Sequence, residues 1–259
     1  MKQRTQIIGM SNLVKYFSDR VFFKHVKEIG NWLLPISCLF CHQPCRNELL
    51  CQACWEELPW QLFSCYKCGQ LLPTADVHIC GQCLKIPPVY DNTICLFHYQ
   101  NPIDKLILAL KFSEKLSYAK LLGELMYQVV RQYYQNQSKP DCIIPVPLHD
   151  TRLRERGYNQ ALEIAKPISK KLKMPLETKR CKRILATAPQ SATLSIEERA
   201  HNIKRAFWVD DSLRWKHVVI LDDVVTTGHT VTALAIALKK AGVDRIDVWC
   251  CARTHLKMR

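Results

Sequence analysis

The chain has 259 residues, enough for one full α/β domain plus a smaller module. Hydrophobic residues make up 48% and charged residues 23%, which excludes a globally disordered chain. Lys and Arg (37) outnumber Asp and Glu (23) for a formal charge of +14, so anions are favoured as partners: phosphorylated small molecules, nucleic acid or anionic lipid. The excess is uneven. Residues 1–90 carry a net +3 (9 minus 6) and residues 91–259 a net +11 (28 minus 17).

Residues 1–34 form an N-terminal extension in which Phe17 to Leu34 is expected to be an amphipathic helix. No basic region followed by an apolar core and a small-residue cleavage site opens the chain. The apolar run Trp32 to Cys41 is too short to span a bilayer and contains Pro35. A cytoplasmic protein without a membrane span is therefore expected.

Residues 35–86 hold four C-x-x-C pairs: Cys38/Cys41, Cys51/Cys54, Cys65/Cys68 and Cys80/Cys83. In a reducing compartment such pairs favour metal over disulfide. Two thiolates two residues apart sit on one tight turn, and two such turns complete a tetrahedral Cys₄ zinc site with no open position. That makes zinc structural. The similar halves read as a double zinc ribbon, although one filled site, or pairing across the halves, satisfies the same spacing. Cys45 and His78 are spare candidates, more in keeping with bystanders.

Residues 87–259 form the larger domain. Asp91 to Tyr99 is expected as a strand, and Pro102 opens a helix at its first position, with Ile103, Leu106, Ile107 and Leu110 at helical spacing. A second helix follows over Ser117 to Gln135, then a polar linker, Asn136 to Pro140. Asp141 to Pro145 reads as a buried strand, Asn159 to Leu172 as a helix and Thr178 to Leu185 as a strand. Between Lys166 and Arg183 eight basic residues face one acid, which marks either an anion-binding surface or a merely solvated face. Ala186 to Ser195 reads as a loop and Ile196 to Arg205 as a short helix. Lys216 to Leu221 has the continuous apolar run of a central parallel strand, which Asp222-Asp223 is expected to end. A helix from His229 to Ala241, stopped by Gly242, and a strand from Arg245 to Cys251 complete a strand–helix–strand unit and a parallel-sheet α/β fold.

The segment VVILDDVVTTGHT, residues 218–230, carries the clearest chemistry. A loop at the carboxyl end of a parallel strand is where open α/β sheets bind ligands, and the next helix presents free N–H groups and a positive dipole end. Thr226, Thr227 and Thr230 supply hydroxyls, and Gly228 permits close approach. Ionised Asp222 and Asp223 are pure acceptors, suited to the 2′ and 3′ hydroxyls of a ribose. Phosphate and diol together indicate a phosphorylated ribose. No Lys-Ser/Thr follows the glycine, so this is not a P-loop.

This segment resembles the signature of type I phosphoribosyltransferases. Together with the paired cysteines, IIPVPLHDTRLRERGYNQ (143–160) and APQSATLSIEERAHNIKRAF (188–207), it makes the chain similar to the ComF (ComFC) competence family over about residues 35 to 255. The resemblance implies a phosphoribosyltransferase-like domain holding phosphoribosyl pyrophosphate with Mg²⁺. It assigns Asp222 and Asp223 as the catalytic carboxylates. Val224, Val225, Thr226, Thr227, Gly228, His229 and Thr230 become the ribose-phosphate loop. Val146, Pro147, Leu148 and His149 form the pyrophosphate loop, with Arg152, Arg154 and Arg156 as its cations. Gln190, Leu194, Arg199 and Asn202 fall in a flexible catalytic loop. It further implies a role in natural transformation, in the handling of incoming single-stranded DNA, with a competence helicase or DNA-processing proteins as partners. No residue stands out as a general base, and the acceptor is unnamed. An active transferase of nucleotide or amine metabolism, a metabolite-sensing DNA-binding adaptor, and a fold relic without turnover are the alternatives.

Overall fold

A computed structural model describes residues 36–45, 49–185 and 206–255. The expected helices over Phe17 to Leu34 and Ile196 to Arg205, and the whole proposed flexible loop with Gln190, Leu194, Arg199 and Asn202, lie outside the described residues.

The front module repeats one plan twice. In the first half β1 (Ile36–Ser37) pairs antiparallel with β2 (Pro44–Cys45), and α1 (Gln52–Glu56) follows Cys51. In the second half α2 (Gly81–Lys85) follows Cys80. The two turns match: His42 N–H donates to Cys38 O at 3.0 Å and Gly69 N–H to Cys65 O at 2.8 Å, with His42 and Gly69 both at positive φ.

The larger domain is built on four parallel strands: β3 (Asn92–His98), β4 (Cys142–Pro145), β7 (His217–Val225) and β8 (Arg245–Arg253), in the order β3-β8-β7-β4. Their residues are buried almost throughout, as the apolar runs require when both faces of a parallel sheet are covered. Alternate residues supply two cores. One contains Val219, Leu221, Trp249 and Cys251 and is covered by α3 (Ile103–Phe112), α4 (Leu116–Tyr133) and α6 (Gln160–Leu172). The other contains Val218, Ile220, Val248 and Cys250 and is covered by α7 (His229–Lys240). A separate antiparallel hairpin, β5 (Cys181–Arg183) with β6 (Phe207–Val209), packs near α7.

Four details differ from the sequence expectations. Pro102 is the residue before α3 rather than its first helical residue. A further helix, α5 (Asp150–Arg156), occupies the arginine-rich stretch, with His149 as its cap. The strand expected over Thr178 to Leu185 is shortened to three residues and lies outside the central sheet. Strand β7 does not end at Asp222-Asp223. It runs on to Val225, because β8 continues beside it and supplies partners as far as Arg253. The apolar run therefore stops before the hydrogen-bonded strand does.

Helices α4 and α6 meet at Gly123. A Cβ built there would lie 2.3 Å from Pro167 Cγ and 2.6 Å from the Ile164 carbonyl oxygen. Backbone cannot yield as a flexible side chain can, so Gly123→Ala forces the helices apart. Overpacking of this kind costs about 1–3 kcal/mol. A urea or thermal unfolding curve should register that loss; parent-like stability would show that the helices do not approach so closely.

Candidate functional site

The sheet's carboxyl edge gathers the residues of interest. Beyond Val225 the chain turns through Thr226 and Thr227, both exposed, into Gly228, which caps α7 at φ +83°. A side chain at that φ is strained, so glycine serves the turn. The Thr227 hydroxyl accepts from His229 N–H at 3.5 Å, and the Gly228 carbonyl accepts from Thr232 N–H at 2.9 Å, starting the helix. His229 is exposed and Thr230 half-buried, while Val224 and Val225 are packed into the cores. The first turn of α7 thus directs backbone N–H groups and hydroxyls to the same exposed edge, a ready anion seat.

Asp222 and Asp223 belong to β7, and successive strand residues face opposite ways. Asp223, 7% exposed, is on the α3 side, where Lys111 Nζ lies 2.9 Å from its Oδ2. Asp222 is half-buried. Burial, then the adjacent Asp223 carboxylate, push the Asp222 carboxyl well above its ordinary range, while the Lys111 ammonium opposes them. Each acid also accepts the next N–H of its own chain: Asp223 N–H to Asp222 Oδ1 at 2.9 Å and Val224 N–H to Asp223 Oδ1 at 2.8 Å.

The second loop follows the neighbouring strand β4. Val146 is buried, and its N–H donates to Leu221 O at 2.9 Å, which seats the loop against β7. Asn159 donates to Val146 O at 2.9 Å and accepts from Leu162 N–H at 3.3 Å, so one side chain ties this loop to the start of α6. Pro147 and Leu148 are half-buried, and His149 Nδ1 caps α5 by accepting from Thr151 N–H at 3.3 Å.

Helix α5 separates the three arginines. Arg152 and Arg156 lie one turn apart on one face, with exposed Arg154 on the other. Arg156 bonds Gln160 Oε1 at 2.9 Å and stacks over Phe112. Arg152 approaches Arg183 of β5, which sequence reasoning had placed only in a charge run. Burial, then the neighbouring Arg152 charge, hold the Arg183 guanidinium below its ordinary value, while Asp222 offsets them. The Arg183 guanidinium thus feels both the Arg152 charge and the Asp222 carboxylate. Three cations of the basic stretch are paired with acids. Lys166 pairs with Glu163 at 2.6 Å, Arg180 with buried Glu177 at 2.8 Å, and Lys171 with Glu124. Lys111 and Arg183 were the two residues missed. Nothing marks Lys111 on an amphipathic helix, and Arg183 is marked only by ending an exposed basic run one residue before an apolar pair.

The cysteines assemble within each half and not across them. Cys38, Cys41, Cys51 and Cys54 form one group and Cys65, Cys68, Cys80 and Cys83 the other, with all sulfurs of a group within 4.8 Å of one another. The Cys41–Cys51 and Cys68–Cys80 sulfurs are 3.6 Å apart. A zinc–sulfur bond of about 2.3 Å implies a tetrahedral edge of roughly 3.8 Å, so the donor sets fit zinc. Hydrogen bonding from Cys68, aided by N–H groups of Cys80, Cys68 and Lys67, outweighs burial and holds the Cys65 thiol down at about 4. Cys45 and His78 stand outside both groups. No described helix is long and apolar enough to cross a membrane.

The chain matches the double zinc ribbon domain model over residues 29–84 and the phosphoribosyl transferase domain model over residues 114–256. It is 34% identical to DNA utilization protein YhgH of Escherichia coli strain K12 over 226 residues, 85% of this chain and 98% of that protein. Competence protein F of Haemophilus influenzae is 35% identical over 220 residues, 81% of this chain and 95% of that protein. Adenine phosphoribosyltransferase of Borreliella burgdorferi is 29% identical over 133 residues, 51% of this chain and 65% of that enzyme. A phosphoribosyltransferase-type parallel sheet behind two Cys₄ ribbons, with relatives matched nearly end to end, places this chain in the ComF competence family.

Proposed function

We propose that the protein binds phosphoribosyl pyrophosphate with Mg²⁺ at the carboxyl end of β7, and that it serves natural transformation by handling incoming single-stranded DNA in the cytoplasm. The observation that carries the ligand is the meeting, at one sheet edge, of the Asp222-Asp223 strand end, with Lys111 Nζ 2.9 Å from Asp223 Oδ2, and an exposed Thr-Thr-Gly turn at a helix start. Thr226, Thr227 and the N–H groups after Gly228 hold the sugar phosphate. Asp222 and Asp223 accept from the ribose hydroxyls. Arg152 and Arg183 face the pyrophosphate, for which guanidinium forks are suited. Mg²⁺ supplies further charge neutralisation to the pyrophosphate when bound. The zinc ribbons are structural. Calorimetry with phosphoribosyl pyrophosphate and Mg²⁺ tests the reading. Saturable binding to the parent is expected, and a parent that binds nothing overturns it.

The DNA role draws on the names of the relatives and on one surface. In the β5–β6 hairpin Trp208 is 44% exposed, directly opposite Lys182, whose ammonium lies over its ring. Exposed aromatic faces beside lysines suit stacked bases and phosphates. A stacked base contributes about 1–3 kcal/mol. Trp208→Ala is therefore expected to weaken single-stranded DNA in a gel shift, with parent affinity falling as salt rises. Absence of any shift by the parent counts against direct contact.

A further inference from the structure

The second zinc knuckle is joined to the transferase-type domain by its carbonyl oxygens. Thr93 N–H donates to Tyr66 O at 2.7 Å, and the Thr93 hydroxyl donates to Lys67 O at 2.7 Å. Arg253 Nε donates to Cys68 O at 3.1 Å, and, from the stretch of the front module that precedes the knuckle, Gln61 donates to Gly69 O. Four consecutive carbonyls, 66 to 69, therefore face out of the knuckle, while its N–H groups at Lys67 and Cys68 face the Cys65 sulfur. Sulfur cluster and domain contact are two sides of one turn. Packing leaves that turn no slack: a Cβ at Gly69 would meet Thr93 Cγ2 at 2.9 Å.

Arg253 carries this contact further. It ends β8, is 2% exposed, and its Nη1 donates to Val225 O at 2.9 Å. Val225 is the last residue of β7, immediately before Thr226 and Thr227. The Val225 carbonyl also accepts from Thr254 N–H at 3.2 Å. One buried guanidinium thus spans the carbonyl of a zinc-knuckle cysteine and the carbonyl that sets the start of the Thr-Thr-Gly turn. A second contact runs in parallel. Tyr90 is buried against the same turn, its hydroxyl 3.7 Å from the position of a Cβ on Gly228. The first ribbon has no such link in the described residues. It docks through Trp60, which bonds Trp55 O and stacks on Phe97, and through Pro59 O, which accepts from His98 N–H at 2.9 Å on the outer edge of β3.

We infer that Arg253 is a positioning residue through which the second Cys₄ ribbon, and not the first, holds the Thr226–Gly228 turn in its ligand-ready shape. From the sequence the ribbon reads as structural or as a contact for a partner or nucleic acid; here its metal-bound state also sets affinity at a site in the other domain. This rests on the proposed phosphoribosyl pyrophosphate site for its ligand, but the mechanical link can be read without that ligand. An unsatisfied buried guanidinium or carbonyl is costly, so losing the Cys68 contact frees Arg253 from the geometry that also holds Val225.

The experiment uses the full chain as parent, Arg253→Ala, Arg253→Lys, Cys83→Ser and Cys54→Ser. Zinc is counted per chain, amide exchange is followed over residues 224–231 without ligand, and calorimetry is run with phosphoribosyl pyrophosphate and Mg²⁺. Arg253→Ala should keep both zinc ions, exchange faster over 224–231 by at least about tenfold, and bind at least about tenfold more weakly, with Arg253→Lys in between. Cys83→Ser should lose one zinc and show the same two changes, whereas Cys54→Ser should lose one zinc and show neither. Parent-like exchange in Arg253→Ala with both zincs present, or equal effects of the two cysteine variants, overturns the inference. Faster exchange in Arg253→Ala and Cys83→Ser with a parent that binds no phosphoribosyl pyrophosphate upholds the link and overturns only the ligand. Should Arg253→Ala fail to fold, the Cys83→Ser and Cys54→Ser comparison and the Arg253→Lys measurement decide the matter.

Discussion

Replacing Asp223 by alanine is expected to weaken phosphoribosyl pyrophosphate by at least about a hundredfold, because hydrogen bonds to charged groups contribute roughly 1.5–3 kcal/mol each and a ribose diol presents two hydroxyls. Asp223 is the stronger test of the pair because it is the more buried and has a dedicated cation, Lys111, at 2.9 Å. Removing it also leaves that ammonium without its partner. Asp223→Asn keeps the shape but replaces half of the acceptor with a donor, and should fall between parent and alanine. Lys111→Met separates the effects: it retains the acceptor and removes the neutralising charge beside two carboxylates. The Asp222 carboxyl, pushed well above its ordinary range by burial and by Asp223, gives the pH sign. Its ionised form is disfavoured in the free protein, and a ligand that needs that form binds more tightly as pH rises and the proton leaves. Calorimetry across mildly acidic to mildly alkaline pH should show affinity increasing, and Asp222→Asn should flatten the curve. Asp223→Ala with parent affinity would remove the acids from the site.

Asp247→Asn should lower stability by roughly 3–5 kcal/mol at neutral pH, the usual cost of breaking a buried charge network by removing one partner. Asp247 lies on β8 with no solvent exposure. Its Oδ2 accepts from the Tyr134 hydroxyl at 2.6 Å and pairs with His217 at 2.9 Å and Arg245 at 3.2 Å. Burial alone would raise its carboxyl; the His217 and Tyr134 hydrogen bonds and the Arg245 charge outweigh it and hold the group below its ordinary value. The linkage follows directly. A carboxyl with a depressed folded value contributes stability that is fully present above the unfolded value near 4 and lost as pH falls through the folded one. Parent and Asp247→Asn melting temperatures should therefore differ most at neutral pH and converge in acid. Because Asp247 stands toward the amino end of its strand, away from Thr226–Gly228, phosphoribosyl pyrophosphate affinity of the folded variant should be unchanged. A variant that melts with the parent at neutral pH would show that the network contributes no net stability.

Much of this was readable in the amino-acid order. The C-x-x-C pairs, the apolar run into Asp222-Asp223 and the Thr-Thr-Gly turn are local patterns. Their chemistry depends on neighbours in the chain, and thiolates two residues apart can share a metal whatever surrounds them. The parallel sheet follows from continuous apolar runs separated by amphipathic helices, since such strands must be covered on both faces. Element ends were less legible. Strand β7 continues through its acids because β8 supplies hydrogen-bond partners that no property of residues 222–225 announces. Helix α5 escaped notice because, among its seven residues, none is buried and no apolar stripe marks it.

The sequence by itself determined the ingredients: a front module of two zinc ribbons, a parallel α/β domain, and a Thr-Thr-Gly turn between an acidic strand end and a helix. Only the tertiary structure decided how they combine. It grouped the eight cysteines into one cluster per half, as a double zinc ribbon requires, where spacing alone had left pairing across the halves open. It brought Lys111, 112 residues before Asp223 in the chain, to within 2.9 Å of that carboxylate. It also set a single arginine between Cys68 and Val225. Local pattern specifies what a residue can do. Which residues it does it with depends on contacts between segments distant in the chain, and these exist only once the sheet order β3-β8-β7-β4 is formed.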